Sequence, residues 1–358
     1  MNGHRIFSRA RSRIIYGLVV KNGRNCPFDR LFLQGELKIY FGADAMAKRK
    51  IQGSFVALIT PMNADGSVDF EGFRTLFDFQ ENNGTSAVLI MGSTGEVSML
   101  TPEERRQVIA ETIKMKTGKM EFWYGCTGPS TEQTIGYVTY AGKEGADGAI
   151  IAAPPYICAP EDDITDYFLE VADASPIPIG IYNNPPRVRT DLPHTSILRL
   201  AEHPNILVNK ESTARVGQIA QTVGGNPDMS LMCCDSPTLG LVVPLMALGG
   251  HGTANMSGNL IPQEMVTIST PWKSWDDAMA CREAWLGNLD MLHFTYSAIN
   301  PVAVKSLMQA VGLPAGPLRK PLKPIAPEHL ARGLAICRDL GLDKKYGYTL
   351  SPMRSAAE

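Results

Sequence analysis

The chain has 358 residues, 44% of them hydrophobic, and a formal net charge of -2. That composition supplies a large core, and the near-neutral balance argues against nucleic acid as a partner. No apolar run approaches about 18 residues, so no membrane span is expected.

Residues 1–45 differ in character from the rest of the chain. Arg5, Arg9, Arg11 and Arg13 precede any acidic residue, with Ile6, Phe7, Ile14, Ile15 and Tyr16 among them. This is the composition of an organellar transit peptide. The preferred alternative is an extension outside the fold, with translation starting at Met46, because Met46-Ala-Lys-Arg-Lys leads directly into the first apolar run. The stretch shows neither helical nor strand period.

From Ser54 onward, short apolar runs alternate with longer amphipathic stretches, which is the βαβ pattern. The runs are Phe55 to Thr60, Ala87 to Met91, Phe122 to Cys126, Ala149 to Ala153, Ile177 to Tyr182, Ile206 to Lys210, Ser230 to Cys234 and a weaker one at Gly252 to Met256. Eight such units predict an α/β fold, a TIM (β/α)8 barrel over residues 46–262, for which about 250 residues suffice. Thr101-Pro102-Glu103-Glu104 offers an N-cap hydroxyl, a proline at the first helical position and a glutamate at the third. It predicts a helix just after Gly92 to Glu96. Helices are also expected over Asp276 to Ser297, Pro301 to Val311 and Pro327 to Leu340, making a C-terminal extension over 263–345 with a tail after it.

In this fold the active site lies at the carboxyl ends of the strands. Three segments fall there: Gly92-Ser93-Thr94-Gly95-Glu96, Tyr182-Asn183-Asn184-Pro185-Pro186-Arg187 and Lys210-Glu211. An isolated lysine is ordinarily a surface residue. Lys210 instead follows Ile-Leu-Val-Asn, so its amine leaves a buried strand at the functional rim. A lysine acts as a nucleophile only when unprotonated and beside a proton-handling group. Tyr182, one strand earlier, is either a packed tyrosine or that group. Ser93 and Thr94 either tighten a turn or, with free N–H groups and a helix N-terminus, hold a carboxylate.

Other patterns are weaker. The seven cysteines have no repeated CxxC spacing, which favours reduced thiols and a cytoplasmic setting over a disulfide framework or zinc knuckles. The six histidines lack HExxH or paired spacing, so no metal site is expected. Asn63-Ala64-Asp65-Gly66 reads as a turn rather than a calcium loop. Gly249 to Gly252 reads as a turn around His251, a phosphate cradle at the strand-end rim being the lesser alternative.

The three segments, in this order and spacing, together with Gly249-Gly250-His251-Gly252 and Asn300-Pro301-Val302-Ala303-Val304-Lys305, resemble the dihydrodipicolinate synthase / N-acetylneuraminate lyase family from about Ser54 to Gly341. The resemblance implies a class I lyase or synthase that captures pyruvate or a related α-keto acid as an imine on Lys210, without metal or other cofactor. Tyr182 would move protons, Ser93 would link to the tyrosine hydroxyl, and Thr94 with Gly92 and nearby amides would hold the keto-acid carboxylate. Ala254 would line the substrate site, and Arg187 matches the arginine with which synthases hold their aldehyde substrate. It also implies a homo-oligomer, dimer or tetramer, that is cytoplasmic unless residues 1–45 direct import.

One position departs from the pattern. Where synthases of the family have a second tyrosine reaching a neighbouring subunit, Pro155-Tyr156-Ile157 has an isoleucine, which cannot pass a proton. Condensation of pyruvate with an aldehyde is the first expectation. A catabolic 2-keto-3-deoxy sugar acid aldolase, dehydratase or deaminase is nearly as well supported, and a metabolite-sensing barrel is the non-enzyme alternative.

Overall fold

The computed structural model describes residues 48–350. The expectations for residues 1–45 and for a start at Met46 lie outside the described residues. Eight parallel strands close into a barrel in chain order: β1 (Gly53–Ala57), β2 (Ala87–Ile90), β3 (Glu121–Gly125), β4 (Gly148–Ala152), β5 (Ile179–Asn183), β6 (Ile206–Glu211), β7 (Ser230–Cys233) and β8 (Gly252–Asn255). Every expected run overlaps a strand, with bounds that differ by one to three residues at several ends.

Between them run α1 (Phe70–Asn82), α2 (Pro102–Thr112), α3 (Thr131–Glu144), α4 (Glu161–Ala174), α5 (Pro185–Val188), α6 (His194–Ala201), α7 (Val216–Gly224) and α8 (Val242–Ala247). After β8 come α9 (Pro262–Ser269), α10 (Trp275–Gly287), α11 (Leu289–Thr295), α12 (Val302–Ala310), α13 (Pro327–Asp339) and α14 (Leu342–Tyr346). Helix α9 packs on β1 and β8, and so serves as the covering helix of the eighth strand. The stretch expected as one helix from Asp276 is two helices broken at Asn288. Tyr346 and Tyr348 pack the last described residues onto the barrel: the Tyr346 hydroxyl contacts Glu264 at 2.6 Å, and that of Tyr348 donates to the Leu260 carbonyl at 2.5 Å.

The core has two parts, as parallel strands covered by helices require. Phe55, Ala57, Leu89, Trp123, Ile150 and Met232 belong to the cluster that fills the barrel. A larger cluster lies between strands and helices, with Val88, Phe122, Ile151 and Ile181 meeting Phe73, Val138 and Phe168. Alternate residues of each strand point to opposite faces, so inward and outward roles are assigned by position. At the amino end of the barrel, Lys48 donates to the carbonyls of His203 and Ile206 at 2.7 and 3.1 Å, and Ile51 closes the interior cluster.

Candidate active site

Strand β2 ends in a turn that requires an unusual backbone. Met91 takes φ 57°, and Gly125 at the end of β3 makes room: a Cβ there would lie 1.9 Å from the Met91 carbonyl oxygen. The chain then folds back through Gly92 to Glu96. Gly95 N–H donates to Gly92 O at 3.0 Å, Glu96 N–H donates to Ser93 O at 3.2 Å, and Thr60 Oγ1 donates to Gly95 O at 2.7 Å. Among the described residues, the N–H groups of Ser93 and Thr94 find no acceptor. The Thr101–Glu104 capping box forms as expected, with bonds of 3.2 and 2.9 Å. A 3-10 turn at Val97–Met99 intervenes, however, so α2 does not begin at the hydroxyl pair. Any anion held by Ser93 and Thr94 meets loop amides rather than that helix N-terminus.

Thr94 is buried, and its Oγ1 accepts from Asn300 Nδ2 at 3.0 Å. The next residue but one, Glu96, anchors the loop to the C-terminal helices. Its Oε1 lies 2.5 Å from Lys305 Nζ, both side chains having no exposure, and its Oε2 accepts from Arg319 N at 2.8 Å. Lys305 also donates to Thr60 O at 2.9 Å. Burial holds the Lys305 ammonium below its ordinary range, and the Glu96 carboxylate opposes that shift.

Tyr182 and Lys210 are register partners on β5 and β6. Lys210 is 4% exposed, and its Nζ lies 4.5 Å from the centroid of the Tyr182 ring. The neighbouring outward positions build a polar brace. Asn183 Nδ2 donates to Glu211 Oε1 at 3.0 Å and to Asp191 Oδ1 at 2.9 Å, and its Oδ1 accepts from Leu192 N at 3.1 Å. Glu211 Oε1 also accepts from the N–H groups of Ser212 and Thr213, each at 2.9 Å. Burial nevertheless pushes the Glu211 carboxyl up to about 7, the donors only partly opposing it. Behind Lys210, burial raises the Cys233 and Cys234 thiols above the usual range, which makes them inert packing groups.

A cleft of about 730 Å³ opens over this region, lined by Gly92, Ser93, Tyr182, Asn184, Arg187 and Asn300 among others. Arg187 stands exposed at its rim, on α5. Ala254 on β8 lies in the barrel interior, in the cluster against which Tyr182 packs. The structure therefore gathers Gly92, Ser93, Tyr182 and Arg187 on one cleft, with Lys210 against Tyr182 and Thr94 tied to Asn300. The hydroxyls of Ser93 and Tyr182 are not hydrogen-bonded to each other; the described partner of the Tyr182 hydroxyl is the Asn184 side-chain amide. Sequence reasoning misses Asn184, Asn300 and the Glu96–Lys305 pair. The two-residue spacing of Tyr182 and Asn184 at a strand end is the signal for the first. No comparable signal marks the other two, which join residues more than 200 positions apart.

Two further segments lie elsewhere. Gly249 to Gly252 lead into β8 at its amino end, opposite the cleft, so the phosphate-cradle alternative loses its premise. His251 does support that turn, accepting from Leu231 N at 3.1 Å. Asn63 to Gly66 form a turn, with Asp65 Oδ1 accepting from Ser67 N at 2.9 Å and Gly66 at φ 86°. Tyr156 and Ile157 come after β4 on a loop where they are 98% and 60% exposed, so Ile157 fills no space within its own chain's cleft.

Comparison with known proteins places the chain and its fold. The model of the dihydrodipicolinate synthetase family matches residues 50–337. The 4-hydroxy-tetrahydrodipicolinate synthase of Ralstonia nicotianae is 32% identical over 294 residues, 82% of this chain and 99% of that one. The synthase of the same name from Aquifex aeolicus is 34% identical over 281 residues, 78% of this chain and 94% of that one. Among solved structures, dihydrodipicolinate synthase from Aquifex aeolicus aligns with a TM-score of 0.75 at 31% identity, covering 84% of this chain and all of that one. The chloride-inhibited Acinetobacter baumannii enzyme, complexed with pyruvate, aligns at 0.74 and 30% identity, covering 82% and 99%. A closed eight-stranded barrel with a lysine and a tyrosine paired at its strand ends, matched over most of its length by these enzymes, belongs to the dihydrodipicolinate synthetase family.

Proposed function

We infer that this enzyme is a lysine-dependent carbon–carbon synthase or lyase of the 4-hydroxy-tetrahydrodipicolinate synthase type, which binds pyruvate as an imine on Lys210. The observation that supports this most is the buried Lys210 amine against the Tyr182 ring, at paired strand ends beneath an open cleft. The free N–H groups of Ser93 and Thr94 suit the carboxylate of the keto acid. Arg187 at the rim suits a second carboxylate on an aldehyde partner.

In this reading the neutral amine adds to the keto carbon to give a carbinolamine. The C–O bond then breaks as the nitrogen lone pair forms C=N, and the departing hydroxyl takes the Tyr182 phenol proton and leaves as water. The phenolate removes a proton from the adjacent carbon of the iminium, giving a neutral enamine and restoring the phenol. The enamine carbon attacks the aldehyde carbon while the aldehyde oxygen takes the Tyr182 phenol proton, and water then hydrolyses the resulting iminium, freeing Lys210 as the neutral amine and returning a proton to the phenolate. No step draws on a metal or an added cofactor. Association of copies into a dimer or tetramer and a cytoplasmic setting belong to the same reading.

Ile157 favours a second reading. With no phenol at that position to relay protons to the incoming aldehyde, a catabolic 2-keto-3-deoxy acid aldolase or dehydratase uses the same imine without that step. Borohydride reduction with pyruvate, then peptide mass mapping, tests what the two share: a pyruvate-derived adduct on Lys210 is expected, and an adduct elsewhere or none overturns it. Pyruvate consumption with aspartate semialdehyde, against pyruvate release from 2-keto-3-deoxy acids, then separates the two.

A further inference from the structure

Asn184 has no part in the imine scheme, yet its side chain is bonded to the group that moves protons in it. Strand alternation places it there: Tyr182 and Asn184 face the cleft, while Asn183 between them turns outward to Glu211 and Asp191. Its backbone is held independently. Asn184 precedes Pro185, which restricts it to extended conformations, and it takes φ -140° and ψ 80° as the cap residue just before α5. Its carbonyl accepts from Arg187 N at 3.0 Å and Val188 N at 3.2 Å. The residue is 9% exposed, and its side chain donates from Nδ2 to the Tyr182 hydroxyl oxygen.

A phenol has one proton to give and lone pairs that accept. An amide N–H on the oxygen occupies a lone pair and cannot receive the phenol proton, so that proton must point to another acceptor. Lys210 Nζ, 4.5 Å from the ring, marks where that acceptor forms. When the proton leaves, the same N–H faces a phenolate, and the bond becomes charge-assisted and roughly twice as strong. Such an interaction strengthens in the dehydration step, where the phenol gives up its proton to the departing hydroxyl, which is the condition for accelerating that step rather than only binding substrate.

We propose that Asn184 is a positioning residue for proton transfer: its amide orients the Tyr182 hydroxyl toward the imine centre and holds the phenolate formed there. The proposal rests on the imine reading of Lys210. It assigns Asn184 no contact with the keto-acid carboxylate, so it concerns rate and not pyruvate affinity.

The test uses exchange of the pyruvate methyl protons with deuterium oxide, monitored by proton NMR, which needs imine formation and proton removal but no aldehyde. Asn184→Val is expected to lower the maximal exchange rate by about 10- to 100-fold, the scale of one charge-assisted hydrogen bond. Half-saturating pyruvate should change less than about twofold. Asn184→Asp keeps the shape and removes the N–H donor, and should lose at least as much. In a Tyr182→Phe background, Asn184→Val should cause no further loss, because the residue acts through the phenol. Wild-type exchange rates in both variants, or an equal loss with and without the phenol, overturn the proposal. Borohydride labelling of wild-type Lys210 with pyruvate separates the two ideas: no label overturns the imine reading and this proposal with it, whereas a label with unaffected variants overturns only this proposal.

Discussion

Lys305 and Glu96 form an ion pair of 2.5 Å with neither side chain exposed, linking α12 of the C-terminal extension to the turn that presents Ser93 and Thr94. The extension is thereby part of the site's scaffold. A buried pair of this kind contributes little net stability over an apolar substitute, but removing one partner strands the other charge. Lys305→Ala should therefore lower stability by about 3–5 kcal/mol. Lys305→Met combined with Glu96→Gln should lose clearly less, as measured by urea unfolding of the single and double variants.

Gly125 tests the turn from the other side. A Cβ at this position meets the Met91 carbonyl oxygen at 1.9 Å, and that atom is backbone. Gly125→Ala should cost about 1–3 kcal/mol through overpacking. Because the displaced segment carries Ser93 and Thr94, half-saturating pyruvate in the deuterium-exchange experiment should rise as well. Unfolding and exchange on the same preparation would check both.

Tyr182→Phe removes the hydroxyl and keeps the ring beside Lys210. Maximal exchange of pyruvate methyl protons should fall about 100-fold or more, the usual scale for a positioned acid or base. Borohydride labelling of Lys210 should persist at a reduced rate. Exchange equal to wild type would leave Tyr182 as a packing residue only.

Glu211 makes stability depend on pH. Its folded-state value of about 7 lies above the ordinary 4.5, so the folded state binds the proton more tightly than the unfolded chain does. The favourable contribution of the protonated acid is complete below about 4.5 and is lost as pH rises toward 7. Glu211→Gln retains an acceptor oxygen for the three N–H donors and cannot ionise. It should gain stability relative to wild type across that interval, by an amount of the order of 3 kcal/mol at neutral pH. Thermal unfolding of both proteins at several pH values measures the difference.

The barrel is legible in the chain alone, because eight apolar runs separated by amphipathic stretches admit few other closed arrangements. So are the residue types at the strand ends: Lys210 and Tyr182 close adjacent runs, and the register pairs them as that order requires. The capping box at Thr101 is readable for the same reason, since its partners are three residues apart. Whatever depends on distant segments had to wait for the folded chain. Asn300 reaches Thr94 and Lys305 reaches Glu96 because α12 folds back over the β2 turn, an approach that no local period encodes. The assignment of α9 to the barrel is likewise settled by packing against β1 and β8, where burial outweighs helical propensity. The hydroxyl of Tyr182 is held by Asn184 rather than Ser93 because strand alternation brings the second residue along the chain to the same face, whereas a partner across the barrel must be brought there by the loop that carries it.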